Sequence, residues 1–343
     1  MDGCWKFGNL LLEKGEGMIR SKVIIVARWD DPHVPLIRDL LDSSGHAVYW
    51  LRLGLDRSEY EVDSVGPNIQ IRESRIKYDS TLFSESKVIY LPFAVNSPPY
   101  VEGCITDFSK REWNSVFDSA IMQWWSASDN DNWLMHTGAA ILQNQKPYLL
   151  SRAQEIARSL QVPNLAVASG LKNESHPHDG GRLVAKAINM WEEVGPSKYF
   201  NTTLLSGDYI SKIAEEGLST PSMFQKYIPH ETELRVYYCH GKFTIVKIRP
   251  NVEQVDFRLL STENANATVV EEFEYRQIAD DICRLSIDLE LNYLACDVIP
   301  AEGDVKTDYL LDINPIGSWQ YFDSEFGLNI TASLLSSFME DKL

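Results

Sequence analysis

Length, composition and charge limit what this chain can be. Its 343 residues are 44% hydrophobic, which supports a large core divided over two or three domains. The formal net charge is −17, and the lysines and arginines form no cluster, which argues against nucleic acid as a partner. An acidic excess of this kind is typical of a solvated surface, although it also suits a cationic peptide.

Cysteine spacing and hydropathy favour a cytoplasmic location. The five cysteines are widely spaced, with no Cys-x-x-Cys pair, so neither a disulfide framework nor a zinc site is predicted. Reduced thiols are typical of the cytosol. No apolar run approaches the roughly 20 residues of a membrane span, so no membrane partner is predicted. Ordered patterning begins after Met18, which marks residues 1–20 as an extension and makes Met1 and Met18 alternative starts.

The first segment, residues 1–144, has the pattern of a parallel α/β domain. Val23–Ala27 is a short apolar run typical of a buried strand; helical spacing over 34–41 and a second strand over 47–53 follow it. This β-α-β order predicts a small parallel sheet. The later pattern predicts a strand over 87–91, a long amphipathic helix over 108–127 and another helix over 132–143.

Two further units complete the predicted organisation. Residues 145–222 are expected to hold a helix from Lys146, with an apolar stripe that reaches Leu160, and strands over 165–168 and 182–188. Residues 223–343 are expected to hold a strand over 223–228, a hairpin around His240-Gly241-Lys242, a helix over 272–291, strands over 293–299 and 309–313, and a helix over 329–338.

Asp312 and Asn314 place two oxygen-bearing side chains on one face of a predicted strand, because side chains two positions apart point the same way. Asp297 lies near the end of the preceding strand, and antiparallel pairing would bring it alongside. Mg²⁺ takes oxygen ligands, usually one or two carboxylates together with phosphate oxygens. The alternative is an ordinary strand end, where Asp and Asn are common. On the local pattern alone, a metal site and an ordinary strand end are equally favoured.

Two lysines are placed where they could contact an anion. Lys186 lies in the apolar run Leu183–Ile188, so its charge must reach solvent or an anion. An edge-strand lysine is the alternative and is favoured when this residue is taken alone. Lys146 precedes a helix, a position from which a lysine can contact phosphates.

The strand before Pro229 and the hairpin after it carry the next candidates. The strand ends with Gln225, Lys226, Tyr227 and Ile228, and its free backbone groups could pair with the edge of an adenine ring. Glu233 and Arg235 share one strand face; the carboxylate suits ribose hydroxyls and the guanidinium suits phosphate oxygens. The alternative for that pair is a cross-strand ion pair.

The order of these residues, rather than any one of them, resembles the ATP-grasp superfamily, in which two α+β units hold ATP between them. The resemblance implies that Lys146 and Lys186 contact the phosphates, that residues 225–228 hold adenine, and that Glu233 holds ribose. It further implies a site for two Mg²⁺ ions at Asp297, Asp312 and Asn314. Asp312 stands where that superfamily usually has Glu.

A narrower resemblance is to the microviridin-type peptide ligases, or graspetide synthetases, which form side-chain esters or amides in ribosomally made precursor peptides. The similar segments are Phe224-Gln225-Lys226-Tyr227-Ile228, Glu233-Leu234-Arg235-Val236, Asp256-Phe257-Arg258, Ala295-Cys296-Asp297-Val298-Ile299-Pro300 and Leu311-Asp312-Ile313-Asn314-Pro315-Ile316-Gly317-Ser318-Trp319. The resemblance implies an ATP-grasp fold, with an N-terminal parallel α/β domain, a small central α+β domain and a C-terminal antiparallel-sheet domain. It also implies a homodimer.

The chemistry implied by this resemblance is an ADP-forming ligation on the leader and core of a precursor peptide. ATP would phosphorylate an Asp or Glu side chain of the peptide, and a Ser, Thr or Lys side chain would then displace phosphate. Arg235 and Arg258 are the candidates for holding the acyl phosphate, and Asp256 is the candidate base. His230 and His240 are interpreted as ordinary surface residues.

Two other functions stay open at the level of sequence. The first is an ATP-grasp ligase that adds an amino acid to a free amino acid or to a protein tail; dependence on a leader peptide would separate it from the peptide crosslinker. The second is a non-catalytic nucleotide-binding or peptide-binding module. The full series of lysine, arginine and acidic residues argues against the second.

Overall fold

The computed structural model describes residues 21–65, 68–92, 101–104, 106–168, 182–186, 202–208, 210, 215, 221–250 and 262–340. The sequence predictions for residues 1–20, Asp256 and Arg258 therefore lie outside the described residues.

Strands run through every part of the described structure. In chain order they are β1 (Lys22–Arg28), β2 (Ala47–Leu53), β3 (Leu55–Asp56), β4 (Tyr60–Val65), β5 (Asn68–Glu73), β6 (Ile76–Tyr78), β7 (Lys87–Leu91), β8 (Val101–Glu102), β9 (Leu165–Ala168), β10 (Leu183–Lys186), β11 (Thr203–Leu205), β12 (Ser222–Lys226), β13 (Glu233–Cys239), β14 (Lys242–Pro250), β15 (Ala265–Val270), β16 (Tyr293–Ile299) and β17 (Tyr309–Asn314).

Helices connect and cover the sheets. They are α1 (Val34–Ser43), α2 (Ser80–Ser84), α3 (Asp107–Ser126), α4 (Thr137–Leu142), α5 (Lys146–Ile156), α6 (Arg276–Asp288), α7 (Gln320–Phe326) and α8 (Ile330–Met339), with 3-10 turns at Arg57–Glu59, Asn130–Asn132 and Glu272–Tyr275. None of the helices in this part of the chain is long and apolar enough to cross a membrane.

The N-terminal sheet is parallel, which confirms the prediction from the β-α-β order. Strand β1 is central and pairs in parallel with β2 and β7. Val23 and Ile25 face the core shared with the C-terminal sheet, whereas Ile24 and Val26 face α3 and Trp124. Because both faces are covered, β1 is a continuous apolar run rather than an alternating one.

An antiparallel sheet of order β4-β5-β6 and a parallel pair, β3 and β8, accompany the N-terminal sheet. Two antiparallel sheets carry the central and C-terminal strands. The smaller has the order β11-β10-β12-β9, and the larger has the order β15-β14-β13-β16-β17. Ile278, Ile282 and Leu285 on α6 are buried in the core that includes the larger sheet. The hairpin of β13 and β14 turns at His240 and Gly241, which both have positive φ, as two-residue hairpin loops require.

Several predicted boundaries are wrong by a few residues. Strand β12 ends at Lys226, so Tyr227 and Ile228 lie beyond it. The helix predicted over 132–143 is only α4, preceded by a 3-10 turn. Helix α5 ends at Ile156, because Ala157 is extended (φ −65°, ψ 145°); Leu160 therefore lies outside the helix.

Asp281 on α6 explains why the chain leaves the helix after Ile156. Its buried carboxylate accepts the backbone N–H groups of Arg158 at 3.0 Å, Ser159 at 2.7 Å and Leu160 at 3.0 Å, and the Ser159 hydroxyl at 2.7 Å. Burial alone would raise the pKa of Asp281, but these hydrogen bonds outweigh it and hold the pKa below its ordinary value. The carboxylate thus fixes the segment that leads from α5 into the central sheet.

Asp281→Asn should lower the free energy of unfolding at pH 7 by about 2–3 kcal/mol, because an amide replaces a charged acceptor of several hydrogen bonds. The lowered pKa means that the carboxylate stabilises the fold above the unfolded pKa of about 3.9 and ceases to do so as pH falls through the folded value. The difference between wild type and variant should therefore shrink in acid.

Urea unfolding at several pH values measures this difference. Asp280→Asn is the matched control, since Asp280 is the exposed neighbour on the same helix. Equal losses in the two variants would show that the Asp281 contacts do not stabilise the fold.

Candidate active site

Three charged residues lie side by side across the larger sheet. Arg235 on β13 is opposite Asp297 on β16, and Asp297 is opposite Asp312 on β17; we call these three residues the charge rung. Directly opposed side chains project from the same face, with Cβ atoms about 4.5–5.5 Å apart. The antiparallel pairing predicted for Asp297 and Asp312 is therefore confirmed. It leaves two carboxylates adjacent, an arrangement that is destabilising unless cations lie close.

A cation lies at each end of the charge rung. Arg235 Nη1 donates to Asp297 Oδ1 at 2.7 Å, and Lys146 Nζ donates to Asp312 Oδ2 at 2.7 Å. Burial would raise the pKa of Asp312, but Lys146 and Lys186 outweigh it and hold that pKa below its ordinary value. Burial likewise disfavours the charge of Arg235, yet Asp297 raises the Arg235 pKa well above normal. Asp312 and Arg235 are thus held in their charged forms.

A β-bulge brings Lys186 to the same place. The pairing between β16 and β17 jumps from Asp297 opposite Asp312 to Val298 opposite Leu310, which makes Leu311 the extra residue. The Leu311 carbonyl accepts a hydrogen bond from Lys186 Nζ at 2.9 Å. Burial lowers the pKa of Lys186, and the charge of Asp312 opposes that shift. The smaller sheet thus contributes a buried lysine to the face that carries the charge rung.

Asn314 and Gln143 extend the polar face beyond Asp312. Gln143 Nε2 donates to Asn314 Oδ1 at 3.2 Å, and Ile316 N donates to Gln143 Oε1 at 3.1 Å. Within the described ranges, no three His, Cys, Asp or Glu side chains are grouped as they would be in an all-protein metal site. Asp297, Asp312 and Asn314 offer two carboxylates and one amide oxygen, which fits Mg²⁺ that is completed by phosphate and water oxygens.

The opposite wall of the site is the end of β12 and the residues that follow it. The backbone N–H groups of Lys226 and Tyr227 donate to the carbonyls of Asn164 and Arg182, both at 2.9 Å, so these two amides are not available to an adenine ring. Gln225 is 1% exposed, and its Nε2 has no hydrogen-bond partner among the described residues. That buried amide is a donor suited to a bound ligand.

Glu233 and His230 form a pair of titratable side chains at this wall. The Glu233 Oε2 atom lies 3.8 Å from His230 Nε2. Burial raises the pKa of Glu233, and His230 opposes that rise. Burial would lower the pKa of His230, but its interaction with Glu233 outweighs burial and raises it. His230 is therefore a partly buried partner of Glu233 rather than the surface residue predicted from the sequence.

One cavity of about 580 Å³ joins these walls, a volume typical of small-molecule sites. Every predicted site residue in the described ranges lines it: Lys146, Lys186, Gln225, Lys226, Tyr227, Ile228, Glu233, Arg235, Asp297, Asp312 and Asn314. The structure thus brings together residues from β10, β12, β13, β16, β17 and the start of α5.

Sequence reasoning missed a group of residues that line the same cavity. Asp31 and His33 follow β1 and are buried, and His33 is hydrogen-bonded to Ser318 at 2.9 Å. The turn after β1 lies at the carboxyl end of the central parallel strand, where open α/β sheets place ligand sites. That position, in a chain already expected to hold a parallel sheet, is the signal that could have identified them.

Gly317 allows the chain after β17 to pass close to the charge rung. A β-carbon at this position would lie 2.5 Å from Arg235 Nη2 and 2.6 Å from the Ala295 Cβ, distances that real β-carbons do not adopt. The glycine therefore permits the Gly317-Ser318 backbone to lie against Arg235.

Comparison with known proteins identifies the fold. Neither a protein-family model nor a curated protein matches the chain. The macrocyclase MdnC from Microcystis aeruginosa MRC, bound with its precursor peptide MdnA, superimposes with a TM-score of 0.72 over 93% of this chain and 100% of that one, at 18% identity. A RiPP-associated ATP-grasp ligase from Chryseobacterium gregarium, in complex with ADP, a leader and a core peptide, gives 0.70 over 92% and 95%, at 16% identity.

A third solved structure agrees. The ATP-grasp ligase PsnB, complexed with minimal precursor, Mg and ADP, gives a TM-score of 0.68 over 94% of this chain and 99% of that one, at 16% identity. The chain therefore has the fold of ATP-grasp ligases, and the predicted fold class is confirmed.

Gly317→Ala should lower the free energy of unfolding by about 1–3 kcal/mol, because the added methyl group must displace Arg235 or Ala295. Urea unfolding measures this loss. Gly207→Ala is the control, because nothing lies within 4 Å of its added β-carbon. If Gly317→Ala lost no more stability than that control, the close approach would have no role.

Proposed function

We propose that the chain is an ADP-forming ligase that activates Asp or Glu side chains of a ribosomally made peptide and joins them to Ser, Thr or Lys side chains. The observation that carries this proposal is the charge rung with Lys146 at its end and Lys186 beside it, all facing one cavity. The peptide complexes of MdnC and of the Chryseobacterium ligase support a peptide as the substrate.

In this proposal the cavity holds ATP between the two antiparallel sheets. Residues 225–228 contact adenine, with Gln225 Nε2 as the buried donor. Glu233 accepts hydrogen bonds from the ribose hydroxyls. Lys146 and Lys186 turn from Asp312 and the Leu311 carbonyl towards the phosphates, because a polyphosphate offers them more negative charge than their present partners do.

Asp297, Asp312 and Asn314 would hold one or two Mg²⁺ ions, which offset the negative charge of the phosphates during transfer. Arg235 orients Asp297 through its 2.7 Å hydrogen bond, and Gln143 orients Asn314 in the same way. Such supporting contacts commonly determine how well a metal ligand performs.

The first chemical step is phosphoryl transfer to the peptide. An oxygen of the substrate carboxylate attacks the γ-phosphorus, the bond from that phosphorus to the β–γ bridging oxygen breaks, and ADP leaves. The second step is acyl transfer: the acceptor oxygen or nitrogen bonds to the acyl carbon, and inorganic phosphate leaves with the electron pair of the broken C–O bond. Arg235 and Arg258 are proposed to hold the acyl phosphate, and Asp256 remains a candidate base for the second step.

The homodimer and the cytoplasmic location stay part of this proposal. The homodimer derives from the resemblance, and the location derives from composition. Measuring the molar mass of the purified chain in solution tests the homodimer directly.

Incubation with ATP, Mg²⁺ and short peptides tests the function. The peptides are those encoded by reading frames that flank the gene and are rich in Thr, Ser, Asp and Glu. We expect the mass of one such peptide to fall by one water for each link, with one ADP and one phosphate released. Replacement of its Asp and Glu residues by Asn and Gln is the control and should abolish the mass loss.

Other products would change the conclusion. Release of AMP would contradict the acyl-phosphate route. Ligation of a free amino acid to an acceptor, with no reaction on leader-bearing peptides, would replace the peptide crosslinker by the free amino acid or protein-tail ligase. ATP binding without any ADP release would leave only a nucleotide-binding module.

A further inference from the structure

A chain of three side chains leads from the interior of the N-terminal domain to the cavity. Asp31 Oδ1 lies 2.8 Å from His33 Nδ1, and His33 Nε2 lies 2.9 Å from Ser318 Oγ. Asp31 and His33 are buried, at 6% and 4% exposure, whereas Ser318 is exposed and lines the cavity. This is the arrangement in which a buried carboxylate and imidazole activate an accessible hydroxyl.

The hydrogen bonds fix which ring nitrogen can act as a base. Asp31 Oδ1 already accepts the backbone N–H of His33 at 2.9 Å, so we assign the proton between this oxygen and the His33 ring to Nδ1. The remaining nitrogen, Nε2, then accepts from the Ser318 hydroxyl. Trp319 lies edge-on to the His33 ring, with centroids 4.9 Å apart, and holds the ring in this orientation.

The Ser318 hydroxyl belongs to a segment that is held against the charge rung. The Ser318 carbonyl accepts from Tyr237 Oη at 3.2 Å and lies 3.5 Å from Arg235 Nη2. The same guanidinium holds Asp297 at 2.7 Å. The Ser318 hydroxyl therefore lies on the same side of the cavity as Arg235, where the proposed function puts the acyl phosphate.

A purely structural role for Asp31 and His33 does not explain the contact between the His33 ring and Ser318. The bond from the His33 N–H to Asp31 is a common local turn before a helix, and it accounts for the position of Asp31 alone. The buried His136 shows how a structural histidine is satisfied in this fold: its ring bonds to the Glu290 carbonyl and to the Gly138 N–H. The ring of His33 instead connects a buried carboxylate to an exposed side-chain hydroxyl in the cavity.

We propose that Asp31, His33 and Ser318 form a proton relay that deprotonates the group attacking the acyl phosphate, an inference that rests on the proposed function. The acceptor hydroxyl, or the ammonium group of a lysine, gives its proton to Ser318 Oγ. Ser318 passes its own proton to His33 Nε2, and Asp31 stabilises the resulting imidazolium. As the acceptor bonds to the acyl carbon, the C–O bond to phosphate breaks; a lysine acceptor then loses its second proton to the departing phosphate. The relay later returns its own proton to water.

The relay predicts a separation of the two chemical steps. Asp31→Asn, His33→Gln and Ser318→Ala should still form the acyl phosphate, because the relay acts only afterwards. Link formation should fall by about 10²–10⁴-fold, the usual contribution of a general base. Hydroxylamine is neutral at pH 7 and needs no base, so it should trap the activated carboxylate as a hydroxamate at the wild-type rate in all three variants.

The experiment uses the full chain, ATP, Mg²⁺ and the peptide that loses water with the wild type, with ADP, hydroxamate and links measured in parallel. His46→Ala is the matched control, since His46 also bonds a serine, Ser21, at 2.8 Å but does not line the cavity; all three rates should be unchanged. Asp31→Asn preserves shape and Ser318→Ala removes only an exposed hydroxyl, so both variants should fold.

Three outcomes would overturn the relay. Link formation at the wild-type rate in Asp31→Asn and Ser318→Ala would exclude it. An equal fall in hydroxamate and link formation would make the cluster structural. A covalent adduct on Ser318 would make that residue the acyl acceptor instead. No ADP release from the wild-type chain would be distinguishable from all three and would overturn the proposed function together with the relay.

Discussion

The architecture of the site depends on one unfavourable contact, the adjacent carboxylates of Asp297 and Asp312. Carboxylates opposed across two strands repel each other, and burial disfavours their charge further. The fold tolerates the pair because Arg235 and Lys146 bind the two outer sides of it. Removing one partner of such a buried pair typically costs 3–5 kcal/mol, so the cations and the carboxylates are mutually dependent. A site with two adjacent carboxylates, a cation at each end and Lys186 beside them is suited to a ligand that carries both negative phosphates and a divalent cation.

The parts that maintain this contact come from widely separated stretches of chain. Lys146 begins α5, whose far end is set by Asp281. Lys186 reaches the site because the bulge at Leu311 presents a carbonyl to it. Gly317 lets the backbone that carries Ser318 lie against Arg235. Each of these features places a charged group or a hydroxyl within hydrogen-bonding distance of its partner. Catalysis by positioning requires this precision.

Patterns that are local in the sequence were enough to predict much of this arrangement. The buried run at Val23–Ala27 predicted the parallel sheet, and the i, i+2 spacing predicted that Asp312 and Asn314 point to one side, where both line the cavity. The antiparallel sheet of β4, β5 and β6, the strands β11 and β15, and the bulge at Leu311 had no comparable signal, since their pairing depends on tertiary packing. The link between His33 and Ser318 spans 285 residues, so no spacing rule could connect them. His230 was assigned to the surface because a lone histidine gives no indication that it lies partly buried beside Glu233.

Calorimetric titration with ATP, with and without Mg²⁺, tests the central claim that the charge rung is a Mg²⁺-nucleotide site. The wild-type chain should bind ATP at least about tenfold more tightly with Mg²⁺ than without it, and Asp312→Asn should abolish that difference. Asp304→Asn, in the exposed loop before β17, should retain it. If Asp312→Asn kept the wild-type dependence on Mg²⁺, the carboxylates would not be metal ligands and the account of the site would be wrong.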